Sequence, residues 1–335
     1  MNVDLLPTEE QGAIRDSVAA ALAKQFPVDR LHDEKTYSAG AERAKWEVFT
    51  GLGVFGLGLP EALGGVGYGL AEEVTVAREL GRHLISPAVL ATMVAAHVVT
   101  GDRLAALVSG DASAAFANPV GPVDFSAAAP LPVQLLDAAG ADYVLVWNDR
   151  AAALYRPPVV DSHVEALDET VSLARASLDL GQPVAVVDGP GIARRAGLIL
   201  SAYLAGNAES TLAMAVEYAK VREQFGQPIG AFQAIKHYCA EMARRAEASV
   251  AQTFYAALDA SERCDDDMFE AAAARLLAAE AAVTNGRYNV QIHGGMGFTY
   301  EADAHRFLKR ALLVSAIASG PRLEQQRIMA SRGPA

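Results

Sequence analysis

The carboxy-terminal part of the chain constrains the fold most, because nearly all of it carries helical periodicity. Apolar residues recur at helical spacing in four long segments, with only short turns between them. The segments run over roughly 193–221, 231–260, 266–294 and 301–331. Helices of this length joined by short turns pack most simply as an antiparallel bundle. We therefore expect a helical bundle over residues 191–335.

A different pattern precedes these segments. Between residues 110 and 190, short β-prone runs alternate with turn residues, which predicts a small middle β domain. Residues 1–109 are helical in pattern, and Thr8 with Gln11 forms a predicted capping box at the first helix. The fold class is therefore α+β multi-domain, with an N-terminal helical domain, a middle β domain and a C-terminal four-helix bundle. The expected strands are Ala114–Phe116, Val133–Leu136, Tyr143–Trp147, Ala152–Tyr155 and Val184–Val187.

Composition excludes several classes of function. The 40 acidic and 28 basic side chains give a formal charge of -12, which disfavours nucleic-acid binding. No apolar run reaches the roughly 18 uncharged residues that span a bilayer, and the amino terminus lacks an export signal. Cys239 and Cys264 form no C-x-x-C pair. We expect a cytoplasmic protein with reduced thiols, no metal site and no membrane partner.

Two motifs about sixty residues apart combine a cation, side-chain amides, an aromatic ring and a glycine pair. In the first, Arg222 offers a planar fork for phosphate oxygens, Gln224 an amide and Phe225 an apolar face. In the second, Gly294 and Gly295 let backbone approach a ligand closely. Each motif alone has an ordinary explanation: a cation at a helix carboxyl end, and a glycine stop after a helix.

Together the motifs resemble the carboxy-terminal half of the acyl-CoA dehydrogenases. These flavin enzymes remove a proton from Cα and a hydride from Cβ of an acyl thioester. The resemblance rests on Arg222-Glu223-Gln224-Phe225-Gly226, Phe232-Gln233-Ala234-Ile235-Lys236-His237 and Gln291-Ile292-His293-Gly294-Gly295-Met296-Gly297-Phe298. The turn at Pro60 to Gly67 and the helical–β–helical order also resemble the family.

The resemblance implies FAD as the cofactor, with this chain contacting the FAD of a neighbouring subunit. The residues that it assigns to cofactor binding are Arg222, Gln224, Phe225, Gln233, Gln291, Gly294 and Gly295.

The carboxylate that serves as the family's general base is missing. In the family a Glu takes the α-proton from one of two positions. The first corresponds here to Ser319 or Ala318, just before Gly320, and the second to Ala196, followed by Gly197. None of these side chains can remove a proton, so no catalytic residue is assigned. Three other carboxylates remain, which we expect to be solvated or interfacial: Glu209, Glu241 and Glu301.

The β domain also lacks a sequence pattern that is typical of the family. Where the family has a Thr-Glu-Pro-x-Ala-Gly-Ser-Asp loop around the flavin ring, this chain reads Ala115 to Pro122 without that pattern. The chain therefore resembles the shorter, base-lacking subunit of α2β2 acyl-CoA dehydrogenases of actinobacterial steroid side-chain catabolism. The resemblance implies a longer homologue that supplies the catalytic Glu, a bulky acyl-CoA substrate and an electron-transfer flavoprotein as acceptor.

Two alternatives remain open. One is a homomeric acyl-CoA dehydrogenase, or a related flavin oxidase, with a relocated base. The other is a non-catalytic scaffold subunit that binds no flavin. The retained Arg222, Gln224 and Gln291 argue against a scaffold, because scaffolding does not require a phosphate-binding Arg beside a Gly-Gly turn.

Overall fold

The computed structural model describes residues 5–32, 42–127, 129–262 and 268–331. Its helices before the sheet are α1 (Glu9–Gln25), α2 (Glu47–Gly51), α3 (Leu70–Arg82), α4 (Pro87–Ala95) and α5 (Gly101–Val108). The predicted capping box is present, since the Thr8 hydroxyl accepts from the Gln11 amide and the Gln11 side chain accepts from the Thr8 amide. Val18 and Leu22 bury the inner face of α1.

The middle region forms one seven-stranded sheet of order β5-β6-β2-β1-β3-β4-β7. Its strands are β1 (Ala114–Pro119), β2 (Leu131–Leu136), β3 (Tyr143–Trp147), β4 (Ala151–Tyr155), β5 (Val160–Val164), β6 (Leu173–Leu178) and β7 (Ala185–Asp188). Only β1 and β3 pair in parallel; the other neighbours are antiparallel. All five predicted strands are present. The sequence analysis missed β5, which is almost wholly exposed, and β6, whose alternation includes Arg175 and Ser177.

Three long helices confirm the periodicity of the carboxy-terminal part: α6 (Gly191–Val221), α7 (Gln233–Glu262) and α8 (Phe269–His293). The prediction of one fourth helix over 301–331 is wrong. It divides into α9 (Ala304–Ser315) and α10 (Pro321–Ala330). Pro321 has no amide hydrogen and cannot continue a helix, whereas it suits a first helical position. Ala318 also has a positive φ of 60°, outside the helical region.

The amino-terminal helices join the bundle where α3 crosses α6. A Cβ on Gly81 would lie 1.9 Å from the carbonyl oxygen of Tyr203, and one on Gly206 would lie 1.9 Å from that of Arg78. The two backbones therefore approach each other through glycine. Beside this crossing the fully buried Arg310 donates to the Tyr203 hydroxyl and pairs with Asp168 of the loop before β6.

Two further sequence expectations concern membranes and thiols. None of the described helices is both long and apolar enough to cross a lipid bilayer. Cys239 is a partly buried free thiol, and burial raises the pKa of that thiol. Cys264 lies outside the described residues.

Candidate functional site

The predicted cofactor-binding residues lie at one end of the bundle. There α6 ends at Val221, α7 begins at Gln233 and α8 ends at His293. All seven are exposed: Arg222, Gln224, Phe225, Gln233, Gln291, Gly294 and Gly295. We refer to this end as the motif end.

Aromatic contacts hold the two motifs together. The rings of Tyr218 and His293 stack with centroids 4.1 Å apart, which joins the last turns of α6 and α8. The His293 Nδ1 lies 2.8 Å from the Asn289 carbonyl oxygen and so donates to it. Tyr238 and Tyr288 join α7 to α8, with ring centroids 4.8 Å apart. The motif end is therefore a packed corner rather than three independent helix ends.

A tight hairpin presents Phe225 to solvent. Glu223–Gln224 pairs with Gln227–Pro228, so Phe225 and Gly226 occupy the two central turn positions. Their φ angles are +55° and +80°, as a type I′ turn requires. Glycine adopts this conformation readily, but a bulky aromatic residue does so at a cost in free energy. Phe225 remains 93% exposed, and its edge-on contact with Phe232, at 6.1 Å between ring centroids, buries little of the ring.

The backbone of Arg222 is fixed, whereas its side chain is free to bind. Its amide donates to the Tyr218 carbonyl and its own carbonyl accepts from the Ile229 amide, 2.8 Å away. Within the described part of the chain, its guanidinium makes no hydrogen bond or ion pair. The Gln224 side-chain amide donates to the Glu223 carbonyl at 2.8 Å, and the residue is exposed.

Gly294 and Gly295 are exposed at the same end of the bundle. A Cβ at either position would meet nothing within 4 Å, so packing inside the chain does not require glycine there. Gly294 nonetheless has a φ of 60° and a ψ of -137°, a conformation essentially limited to glycine. A cation, amides, an aromatic face and open backbone together fit the pyrophosphate and adenosine of a dinucleotide that reaches the motif end from outside the chain.

One of the two positions where we expect the family's base, Ser319, lines a small cavity. Gly197 of α6 and Ser319 of the turn between α9 and α10 both line it, and its volume is about 20 Å³. Ala196 is fully buried beside it. This volume holds about one water molecule, far below the several hundred Å³ of a ligand pocket.

Glu324, which the sequence analysis passed over, lines the same cavity. It is 3% exposed, and its Oε1 accepts hydrogen bonds from the Ser319 hydroxyl and from Arg327. In the sequence it resembles an ordinary acidic residue in the first turn of a helix, where the macrodipole favours negative charge. Only its burial distinguishes it.

The other three carboxylates lie elsewhere. Glu209 forms a bidentate pair with Arg78 at 2.6 and 2.7 Å. Glu241 is exposed, and its hydrogen bond from Arg244 lowers the pKa of the carboxyl. Glu301 is exposed on the loop before α9. None of them lines the cavity that contains Glu324.

A wider cleft is lined by residues of α1, α3, α6 and α7 and of the segment before α1. It measures about 460 Å³ and is lined mainly by apolar side chains, among them Val74, Ala202 and Phe254. None of the predicted cofactor-binding residues and neither base position contributes to it. The cleft is therefore separate from both the motif end and the cavity.

Comparison with known families matches both helical parts of the chain. The acyl-CoA dehydrogenase C-terminal domain matches residues 193–333, and the N-terminal domain of the same family matches residues 8–108.

Two curated relatives come from Mycobacterium tuberculosis. The acyl-CoA dehydrogenase IpdE2 is 32% identical, and the match covers 97% of this chain and 98% of IpdE2. The acyl-CoA dehydrogenase FadE34 is 36% identical over 93% of this chain, but the match covers only 46% of FadE34. The chain thus spans nearly all of one relative and about half the length of the other.

Among solved structures, the steroid acyl-CoA dehydrogenase Tcur3481-Tcur3483, in its G363A variant, has a similar fold. Its TM-score is 0.82 at 23% identity, over 96% of this chain and 97% of the matched chain. At this identity the likeness concerns the fold alone.

Proposed function

The chain belongs to the acyl-CoA dehydrogenase family, and we propose that it is the base-lacking subunit of a heteromeric, FAD-dependent dehydrogenase. Members of this family are FAD flavoproteins. The proposed reaction is the α,β-desaturation of a bulky acyl-CoA of the steroid side-chain type. A longer homologue supplies the catalytic Glu, and an electron-transfer flavoprotein accepts the electrons.

One contrast carries this proposal. Side chains suited to a dinucleotide are exposed at the motif end, whereas neither expected base position carries a carboxylate: Ser319 lines a cavity of about 20 Å³, and Ala196 is buried outside its lining. An enzyme of this class needs a general base within hydrogen-bonding reach of Cα. The chain is therefore equipped to complete a cofactor site on a neighbour and not to abstract the proton itself.

The residues of the motif end have separate tasks in this proposal. The Arg222 guanidinium binds phosphate oxygens in a bidentate manner, because its fork matches their geometry. Gln224, Gln233 and Gln291 add amide donors and acceptors, and Phe225 packs its ring against the adenosine. FAD supplies the hydride acceptor when bound. The partner's carboxylate takes the Cα proton.

The relatives support a paired arrangement. FadE34 contains a segment like this chain in slightly less than half of its length, so its remainder can accommodate a second unit of similar size. The structural neighbour is named for two proteins, Tcur3481 and Tcur3483, and for a steroid acyl-CoA dehydrogenase. By analogy, we propose that this chain has a dehydrogenase partner and that the complex acts on a steroid-type acyl group.

Flavin content tests the proposal. The chain is purified alone and after co-expression with a longer acyl-CoA dehydrogenase homologue, and flavin absorbance is measured against protein. We expect a colourless chain alone and a yellow, active complex with a single FAD per pair. In the complex, Arg222→Ala should lose FAD, whereas Lys220→Ala, an exposed cation paired with Glu217, should retain it.

A different flavin content would contradict the proposal. A chain that alone carries one FAD per subunit, and whose flavin is bleached by an acyl-CoA, is a homomeric enzyme, and the proposal is then wrong. A complex that forms and remains active without FAD contact by Arg222 would instead support a scaffold role.

A further inference from the structure

The cleft of about 460 Å³ is lined by small and apolar side chains of several helices. Among those from α3, α6 and α7 are Val74, Ala202, Ala205, Val250, Ala251 and Phe254. Its volume lies in the range of ligand pockets, several hundred Å³, whereas the cavity at Ser319 holds about one water molecule. The cleft is therefore the larger of the two spaces and can accommodate an organic ligand.

The crossing of α3 and α6 keeps the cleft open. A Cβ on Gly81 would lie 1.9 Å from the Tyr203 carbonyl oxygen, and one on Gly206 would lie 1.9 Å from the Arg78 carbonyl oxygen. Arg78 and Glu209 join the same two helices through hydrogen bonds of 2.6 and 2.7 Å. Because the backbones already touch, α3 and α6 cannot approach further to fill the space. Apolar walls without packing partners cost stability, which a bound ligand would offset.

The segment before α1 contributes two exposed leucines to the cleft. Leu5 is 44% exposed and Leu6 is 76% exposed, although both belong to the lining. The capping box of Thr8 and Gln11 fixes the start of α1 directly after them. An apolar chain in the cleft would remove part of both leucines from water, and the gain in free energy grows with the apolar area buried.

Three charged side chains line the cleft: Arg15, Arg78 and Glu247. Arg78 is paired with Glu209, which does not belong to the lining. Arg15 pairs with its neighbour Asp16, and their side chains are 41% and 70% exposed. An exposed pair of this kind contributes little, so the Arg15 guanidinium can exchange it for the carboxylate of a ligand, which its planar fork matches.

We propose that the cleft binds a long, unbranched carboxylate. Its apolar chain lies between α3, α6 and α7 beside Leu5 and Leu6, and its carboxylate pairs with Arg15. The small side chains of the walls suit a chain of methylene groups. The ligand contacts α1, α3, α6 and α7 together, so its binding stabilises the packing of the amino-terminal helices on the bundle. This site is separate from the motif end and does not depend on the proposed function.

The first test varies the length of the ligand. The full chain is titrated in a calorimeter with octanoate, decanoate, dodecanoate and tetradecanoate, each below its micelle concentration. Each added methylene should raise the affinity about fourfold while it still enters the cleft, and the affinity should then level off. We expect a single site per chain and a higher melting temperature with dodecanoate. An affinity that is independent of length, or several equivalent sites per chain, would overturn the proposal.

The second test fills the cleft. Ala251→Leu adds apolar volume to its wall, and the matched control Ala248→Leu lies on an exposed position of the same helix outside the lining. Ala251→Leu should lower the affinity for dodecanoate at least tenfold while the melting temperature of the free chain stays the same or rises. The control should retain the affinity. Unchanged dodecanoate binding in Ala251→Leu, together with loss of the complex with the longer homologue, would show that the cleft binds a protein instead.

The third test concerns the head group. Arg15→Gln should weaken dodecanoate about tenfold, the loss of roughly one charged hydrogen bond, and leave the neutral dodecanol unaffected. Glu247→Gln should strengthen dodecanoate, because it removes a like charge from the lining. Lys24→Gln, an exposed cation in the last turn of α1, is the control and should change neither affinity. Tighter binding of dodecylamine than of dodecanoate, or equal weakening of dodecanol by Arg15→Gln, would contradict the assignment.

Discussion

The rings of Tyr218 and His293 stack with centroids 4.1 Å apart and planes 22° from parallel. Arg222 follows Tyr218 by one helical turn, and Gln291 precedes His293 by two residues. This one contact therefore aligns the two motifs, although neither aromatic residue is among the predicted cofactor-binding residues.

Tyr218→Ala should weaken flavin binding without removing a ligand contact. The lost ring pair accounts for about 1 kcal/mol of the free energy of unfolding beyond its buried area. The measurement is the melting temperature of the chain and the FAD retained by the complex after gel filtration. Tyr255→Ala, in the distant half of α7, is the control and should retain FAD. Equal FAD loss in both variants would show that the stack does not position the motifs.

Phe225→Gly should change the stability of the chain and the affinity of the complex in opposite directions. Glycine relieves the left-handed strain at φ +55°, which is about 1 kcal/mol for a non-glycine residue. The isolated chain should therefore unfold at the same or a higher temperature, while the affinity for the partner or for FAD falls. A variant that loses chain stability and retains full affinity would indicate that Phe225 serves the hairpin and not an interface.

Gly206→Ala should destabilise the chain because its new Cβ would lie 1.9 Å from the Arg78 carbonyl oxygen at the crossing of α3 and α6. Backbone atoms cannot yield as side chains do, so we expect a loss of about 3 kcal/mol or more. Gly12→Ala is the matched helical control, since a Cβ there meets nothing within 4 Å. It should stabilise by about 0.5–1 kcal/mol. Chemical denaturation of both variants measures the difference, and equal effects would contradict the close approach.

Because of Asp137, the free energy of unfolding should fall as pH rises through the weakly acidic range. Burial raises the pKa of its carboxyl to about 6, although hydrogen bonds from Ser86 and Ser172 partly oppose the shift. Between pH 4 and pH 6 the unfolded chain binds fewer protons than the folded chain, so the free energy of unfolding decreases with pH in this window. The decrease is roughly 3 kcal/mol at most and is complete above pH 6.

Asp137→Asn should remove this slope, because its side chain does not titrate while asparagine still tolerates the positive φ of 50° at this position. Denaturant titrations at a series of pH values give the wild-type minus variant difference. The exposed Asp124, changed to Asn, is the control and should leave the decline between pH 4 and pH 6 in place. A wild-type minus variant difference that is constant across that range would contradict the assignment.

The sequence was sufficient to predict the helices and strands whose apolar residues repeat at the spacing of their buried positions. The long helices α6, α7 and α8 and the strands β1 to β4 and β7 were predicted because their apolar spacing repeats within the segment. Strand β5 was missed because four of its five residues are exposed, so its pairing with β6 rather than its composition defines it. The division at Pro321 was missed because apolar residues continue on both sides of it.

The sequence by itself determined which residues are present: an arginine, glutamines and glycines suited to a dinucleotide, and no carboxylate at either base position. Only the tertiary structure decided that the two motifs lie at the same end of the bundle. It also decided that the Ala318 amide donates a hydrogen bond to Asn118, two hundred residues earlier, and that Glu324 is buried. The physical reason is that burial and charge pairing depend on neighbours distant in the chain. A glutamate in the first turn of a helix has the same sequence pattern whether it faces solvent or is buried beside a cavity.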